Sequence, residues 1–173
     1  MIAPKIVDYD LDFISLTPRH CTDAIVIHHT GNSDYQGNYI DDDLSAEEIH
    51  RIHLGFGWSG IGYHFVVRKD GTIEQGRPMW SQGAHCQGEN WHTVGIHVCG
   101  NFEVAYPTSE QIESLSYLVG YLAEEYGIEC DSAGVRGHRD YMATACPGQN
   151  LYDILQTIRG KAIWYAQNYQ GGD

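Results

Sequence analysis

The sequence predicts an α/β fold, a single domain over residues 1–173 in which a β-sheet is flanked by helices. Three observations carry that expectation. Short apolar runs rich in β-branched residues occur where buried strands belong. Two Ser/Thr-x-x-Glu/Gln signatures open stretches at helical spacing. An Asp-Gly step separates two strand-like runs. The hydrophobic fraction of 42% is ordinary for a globular protein, and 173 residues are enough to bury a proper core. No internal repeat, low-complexity tract or linker divides the chain.

The elements follow in order. Ala24 to His28 is a short β-branched run and predicts a buried strand, stopped by the turn residues Thr30-Gly31-Asn32-Ser33. Asp41 to Asp43 is a solvated acidic run. Ser45 with Glu48 forms a capping box that opens a helix to about Leu54, with Ile49, Ile52 and His53 on one face. Gly55 to Gly60 breaks it. Ile61 to Arg68 reads as a strand, Lys69-Asp70-Gly71 as a hairpin turn, and Thr72 to Gln75 as the return strand. Val94 to Cys99 is another buried strand.

Thr108 with Gln111 is a second capping box. It starts a long helix to about Tyr126, with Ile112, Leu115, Leu118, Val119 and Leu122 at helical spacing and Gly127 as its stop. A last helix is expected from about Leu151 to Ile163.

Charge narrows the partners. The net charge is −13, with only 10 Lys and Arg and no cationic cluster, so nucleic acid and anionic membranes are poor partners. No apolar run approaches the ~18 residues that a membrane span needs. Met1 to Asp12 lacks a basic segment followed by an apolar one, so no signal peptide is expected, and a protein made in the cytoplasm is. Of the five cysteines, at positions 21, 86, 99, 130 and 146, none is expected in a disulfide in such a compartment. The sequence leaves the oligomeric state open.

Three distant segments each carry a residue able to bind a soft divalent metal: Ile27-His28-His29-Thr30, Gly137-His138-Arg139-Asp140 and Thr144-Ala145-Cys146-Pro147-Gly148. Two imidazoles and one thiolate leave a tetrahedral zinc with an open fourth position, as a catalytic site needs. His28 ends a predicted strand, His138 follows Arg136-Gly137 in a loop, and Cys146 precedes a turn. Taken singly, each has a plain reading: a core histidine, a loop histidine, a buried thiol. Spacing alone does not bring them together.

A resemblance does. Ile27-His28-His29-Thr30, Trp58 with Ile61-Gly62-Tyr63-His64-Phe65, Asp70-Gly71-Thr72, Gly83-Ala84-His85, Val94-Gly95-Ile96, Gly100-Asn101-Phe102 and the two later segments run in one order from about residue 24 to about residue 156. This ordered set resembles the zinc-dependent N-acetylmuramoyl-L-alanine amidases, a family that includes phage lysozyme-type amidases and animal peptidoglycan-recognition proteins. The resemblance implies a central mixed sheet with helices on both faces and a zinc site in a surface groove. It implies one zinc per chain on His28, His138 and Cys146, Tyr63 as the active-site tyrosine, and Thr144 in a position that is lysine in some relatives and threonine in others.

The implied reaction is hydrolysis of the amide between the lactyl group of N-acetylmuramic acid and L-alanine in peptidoglycan, after release to the cell wall. Tyr63 and Thr144 are candidates to donate to an oxyanion. His85, Asn90 and Trp58 are candidates for substrate contact, and Trp58, Trp80 and Trp91 suit core packing equally well. His29 is expected as a wall or supporting residue of the site rather than a ligand, and His64 in a structural role, since adjacent strand residues alternate and the two face away from their neighbours His28 and Tyr63. Asp140 and Arg139 are expected to anchor their loop, and His50, His53 and His92 to pack or lie at the surface.

Animal members carry a disulfide just after the first histidine, and no cysteine lies between His29 and Cys86, which fits a bacterial or phage enzyme. Three alternatives stay open: a non-catalytic peptidoglycan receptor, a cytosolic amidase of soluble muropeptides, and a zinc hydrolase of another substrate. The receptor predicts loss of a ligand. The recycling amidase predicts aspartate as third ligand with a lysine nearby, against Cys146 and Thr144 here.

Overall fold

A computed structural model describes residues 1–170. Six strands form one mixed sheet: β1 (Ile6–Val7), β2 (Ala24–His29), β3 (Phe65–Val67), β4 (Ile73–Gln75), β5 (Thr93–Val98) and β6 (Val135–Gly137). Their order across the sheet is β1-β4-β3-β5-β2-β6. Only the β3–β4 hairpin is antiparallel; the other neighbours are parallel. The helices are α1 (Ala46–Gly55), α2 (Ser109–Tyr126), α3 (Gln149–Tyr152) and α4 (Leu155–Asn168).

β2 and β5 are buried along their whole length, which is why they read as continuous apolar runs rather than alternating ones. Alternation still assigns their faces. Ile25, Ile27, Phe65, Val67, Val94, Ile96 and Val98 join Leu115, Leu118, Val119 and Leu122 of α2 and Leu155, Ile158 and Ala162 of α4 in the main core. Val66 packs with Ala46 and Ile49 of α1 in a smaller cluster on the opposite face. Helices therefore cover both faces, and His28 and His97, paired across β2 and β5, share the α1 side with Val66.

Both predicted capping boxes form, with Ser45 accepting from Glu48 N and Thr108 from Gln111 N. Gly127 closes α2 at φ 67°, a conformation that favours glycine. At the hairpin tip Gly71 has φ 86° and donates to Arg68 O.

Several expectations need correction. The run from Ile61 to Arg68 is a strand only over β3, because Ile61 and Gly62 give their N–H groups to α1 histidine side chains instead of a neighbouring strand. The buried face of α1 is Ala46, Ile49, His50 and His53, while Ile52 is 42% exposed. The expected helix from Leu151 to Ile163 is two helices, α3 and α4, broken at Asp153 and Ile154. His138 does not sit in an open loop. It follows β6, three residues pairing with β2, and begins a single 3-10 turn, His138–Asp140. β6 is too short to read from periodicity, and Arg159 of α4 holds it by donating to Val135 O at 2.6 and 3.0 Å.

Candidate metal centre and cleft

His28 ends β2, His138 follows β6, and Cys146 closes the segment after the 3-10 turn. β2 and β6 are paired, so the two histidines leave adjacent strands side by side. The loop that returns Cys146 is held by Arg139 N donating to Cys146 O at 2.9 Å and by Arg139 Nη2 donating to Ala145 O. Asp140 accepts from Gly137 N and from the Tyr152 hydroxyl. Arg139 and Asp140 are anchors, as expected.

The potential ligand atoms of His28, His138 and Cys146 all lie within 4.8 Å of one another. His28 Nδ1 is 3.6 Å from Cys146 Sγ, and the His28 and His138 rings are 4.5 Å apart. His138 Nε2 is buried with no hydrogen-bond partner among the described residues. A buried imidazole nitrogen left without a partner is costly unless something else occupies it. Two imidazoles and a thiol converging on one point, with one nitrogen unpartnered, form a donor set that fits a divalent zinc.

Electrostatics agree with neutral imidazoles. Burial, reinforced by His85, His138 and His97, holds the His28 pKa well below its ordinary value. Burial also lowers that of His138. Burial pushes the Cys146 thiol up to about 12, against the opposing pull of the His29 N–H and Arg139. A bound cation would displace that proton.

These residues line a cleft of about 360 Å³ together with Thr30, Trp58, Tyr63, His85 and Thr144. The Tyr63 ring lies 5.1 Å from that of His28, 4.8 Å from His97 and 5.8 Å from His53. Burial, with a smaller contribution from Cys146, raises the Tyr63 pKa above its ordinary value. The segment before Tyr63 is pinned by α1: Ile61 N donates to His50 Nδ1 at 3.2 Å and Gly62 N to His53 Nδ1 at 3.0 Å. The Thr144 hydroxyl accepts from Cys146 N at 3.2 Å.

The remaining candidates divide. Trp58 lines the cleft, 43% exposed, its ring 4.6 Å from His53. Trp80 and Trp91 are exposed and are not among the cleft residues. His85 reaches the cleft wall, but both its ring nitrogens face protein: His28 Nε2 at 2.9 Å and Thr93 Oγ1 at 3.3 Å. Asn90, expected at the substrate, turns its side-chain oxygen to His85 N and Cys86 N, both at 3.0 Å, and does not line the cleft. His29 contributes to the cleft wall, as expected, while its ring turns from His28 and accepts from Phe102 N at 3.1 Å. His64 accepts from Gly95 N at 3.0 Å. Both rings are tied to backbone N–H groups on the side away from their strand neighbours, as alternation predicts. All five cysteines are free thiols.

His50, His53 and His97 support Tyr63 and its approach, a role that their place in the sequence does not show. The i, i+3 spacing of the first two on α1 is visible in the sequence, but not the chain they hold. His97 meets Tyr63 only through the strand register.

Comparison with known proteins fits this geometry. The family model described as N-acetylmuramoyl-L-alanine amidase matches residues 18–149. The endolysin of Escherichia phage T7 is 30% identical over 143 residues, covering 80% of this chain and 88% of the phage protein. The solved N-acetylmuramoyl-L-alanine amidase LysC from Clostridium intestinale superposes with a TM-score of 0.80 at 38% identity, covering 92% of this chain and 97% of that one. Drosophila PGRP-LB, solved as a mutant with tracheal cytotoxin, gives a TM-score of 0.70 at 25% identity, covering 84% and 86%. With three candidate metal-binding side chains gathered in one cleft and its matched segment spanning most of the fold, the chain belongs to the N-acetylmuramoyl-L-alanine amidase family.

Proposed function

We propose that this chain is a zinc hydrolase that cleaves the amide between N-acetylmuramic acid and L-alanine in the peptidoglycan of a cell wall. The observation that carries the reading is the convergence of His28, His138 and Cys146 within 4.8 Å in a cleft that also holds Tyr63. Those three residues would hold a zinc ion, which would supply Lewis acidity for polarising a carbonyl and acidifying a water.

The chain's own residues do the rest. Tyr63 lines the cleft with its ring braced by three histidines and supplies a hydroxyl that can donate to the oxygen on which charge develops. Thr144 holds the Cys146 backbone through its hydroxyl and sits at the cleft, where its side chain can meet the same oxygen. Trp58 offers an exposed ring for stacking on the apolar face of a sugar or a stem peptide. Among the described residues no helix is long and apolar enough to cross a membrane.

The experiment is digestion of purified peptidoglycan. New L-alanine amino termini without new reducing ends support the amidase, and chelation should abolish them until zinc is restored. Reducing ends without new amines would mean a glycosidase. Binding with neither product would mean a receptor.

A further inference from the structure

We propose that His85 is a positioning residue for the metal centre: it accepts the Nε2–H of His28 and so fixes the tautomer and angle at which His28 presents Nδ1. The role rests on the zinc reading given above. His28 Nδ1 faces Cys146 Sγ at 3.6 Å, so Nδ1 is its nitrogen on the metal side. A metal there leaves the His28 proton on Nε2, which lies 2.9 Å from His85 Nδ1, the two rings edge-on at 86°. His85 Nδ1 must then accept, and the His85 proton sits on Nε2.

The next link confirms the polarity. His85 Nε2 is 3.3 Å from Thr93 Oγ1, whose own hydrogen goes to Glu89 O at 2.8 Å. A backbone carbonyl can only accept. The chain therefore runs one way, from His28 to His85 to Thr93 to the main chain, with an acceptor for every donor.

The fold reserves a slot for this ring. A Cβ at Gly95 would lie 2.5 Å from His85 Cγ, and one at Gly83 would lie 2.4 Å from His85 Cδ2. Gly95 sits in the middle of a fully buried strand and lacks the positive φ that would call for glycine, so close approach is its reason. Asn90 fixes the His85 backbone from the third side. A side chain meant to follow a variable ligand would not be fixed at both nitrogens and along both edges of its ring. An acceptor on the outer nitrogen of a ligating histidine orients it and raises its basicity.

The test reads zinc affinity without substrate, by competition with a chromophoric chelator. His85→Leu keeps bulk and loses the acceptor; it should bind zinc about 10- to 100-fold more weakly. His85→Asn, whose amide oxygen can stand near the place of Nδ1, should recover most of that loss. A residue that only touches substrate would raise KM and leave zinc affinity alone, so His85→Leu holding zinc within about twofold of the parent overturns the role. A parent that binds no zinc overturns the metal centre itself, a result distinct from the first. Should both variants fail to fold, the long-range proton–nitrogen spectrum of the zinc-loaded parent reads the tautomers. His28 and His85 should both carry their proton on Nε2, and a proton on His85 Nδ1 refutes the assignment.

Discussion

Replacing Tyr63 by Phe isolates one hydroxyl. The ring is held by His28, His97 and His53 at centroid distances of 5.1, 4.8 and 5.8 Å, and phenylalanine keeps all three contacts. No hydrogen bond to the Tyr63 hydroxyl contributes to its environment among the described residues, so the fold loses no partner. Stability should change by less than about 0.5 kcal/mol. Zinc affinity should not change, since Tyr63 is outside the ligating group. Turnover is different, because a donor aimed at a developing oxyanion gains most of its strength in the transition state. Losing one such donor costs on the order of 100- to 1,000-fold in kcat, about 2.7–4 kcal/mol. KM should move little. The assay is initial-rate release of L-alanine amino termini from purified peptidoglycan at full zinc occupancy. Turnover of Tyr63→Phe within a few-fold of the parent would remove Tyr63 from the chemistry and leave its histidine bracing as packing alone.

Cys146→Ala should bind zinc substoichiometrically after dialysis, because two imidazoles rarely hold the ion against buffer; metal analysis of the purified protein checks it. Thr144→Ala should lose less turnover than Tyr63→Phe, and Thr144→Ser should restore it, since either hydroxyl can accept from Cys146 N. His92 bridges Asp23 of the chain entering β2 and Glu89 of the loop before β5, with Trp91 and Tyr141 against its ring. Burial opposes its charge, but the hydrogen bonds and charges of Glu89 and Asp23 outweigh burial and raise its pKa above 6.5. Its stabilisation is then full below about pH 6.5 and lost as pH rises through the folded value, so His92→Ala should cost more in a urea melt near pH 5.5 than near pH 8.5. Equal costs would refute the bridge. Gly120→Ala puts a Cβ 2.6 Å from Ala162 O, where α2 and α4 meet backbone to backbone. Overpacking of about 1–3 kcal/mol exceeds a helix-propensity gain of about 1 kcal/mol, so a urea melt should show net destabilisation.

The elements that local chemistry dictates are legible in the amino-acid sequence. The capping boxes at Ser45 and Thr108, the stop at Gly127, the Asp-Gly hairpin and the two buried strands all depend on residues a few positions apart, and all form. Alternation along β2 also places His28 and His29 on opposite sides, whatever their neighbours. The candidate ligands His28, His138 and Cys146 stand out by residue type, and a resemblance in ordered motifs links them. Their meeting is a tertiary fact: it needs the β2–β6 pairing, and β6 is only three residues long, too short for a periodic signal and held by Arg159 from α4. The supports of the cleft are hidden for the same reason. His50 and His53 brace the approach to Tyr63 through backbone N–H groups, and a backbone donor carries no mark in the sequence. The roles of His85 and Asn90 likewise depend on which way a loop turns its side chains, and they turn to His28 and to their own backbone rather than to open solvent. Residue type and short-range pattern thus determined which elements form and which groups could do chemistry. Strand register and loop closure, which join residues more than a hundred positions apart, decided which of those groups touch.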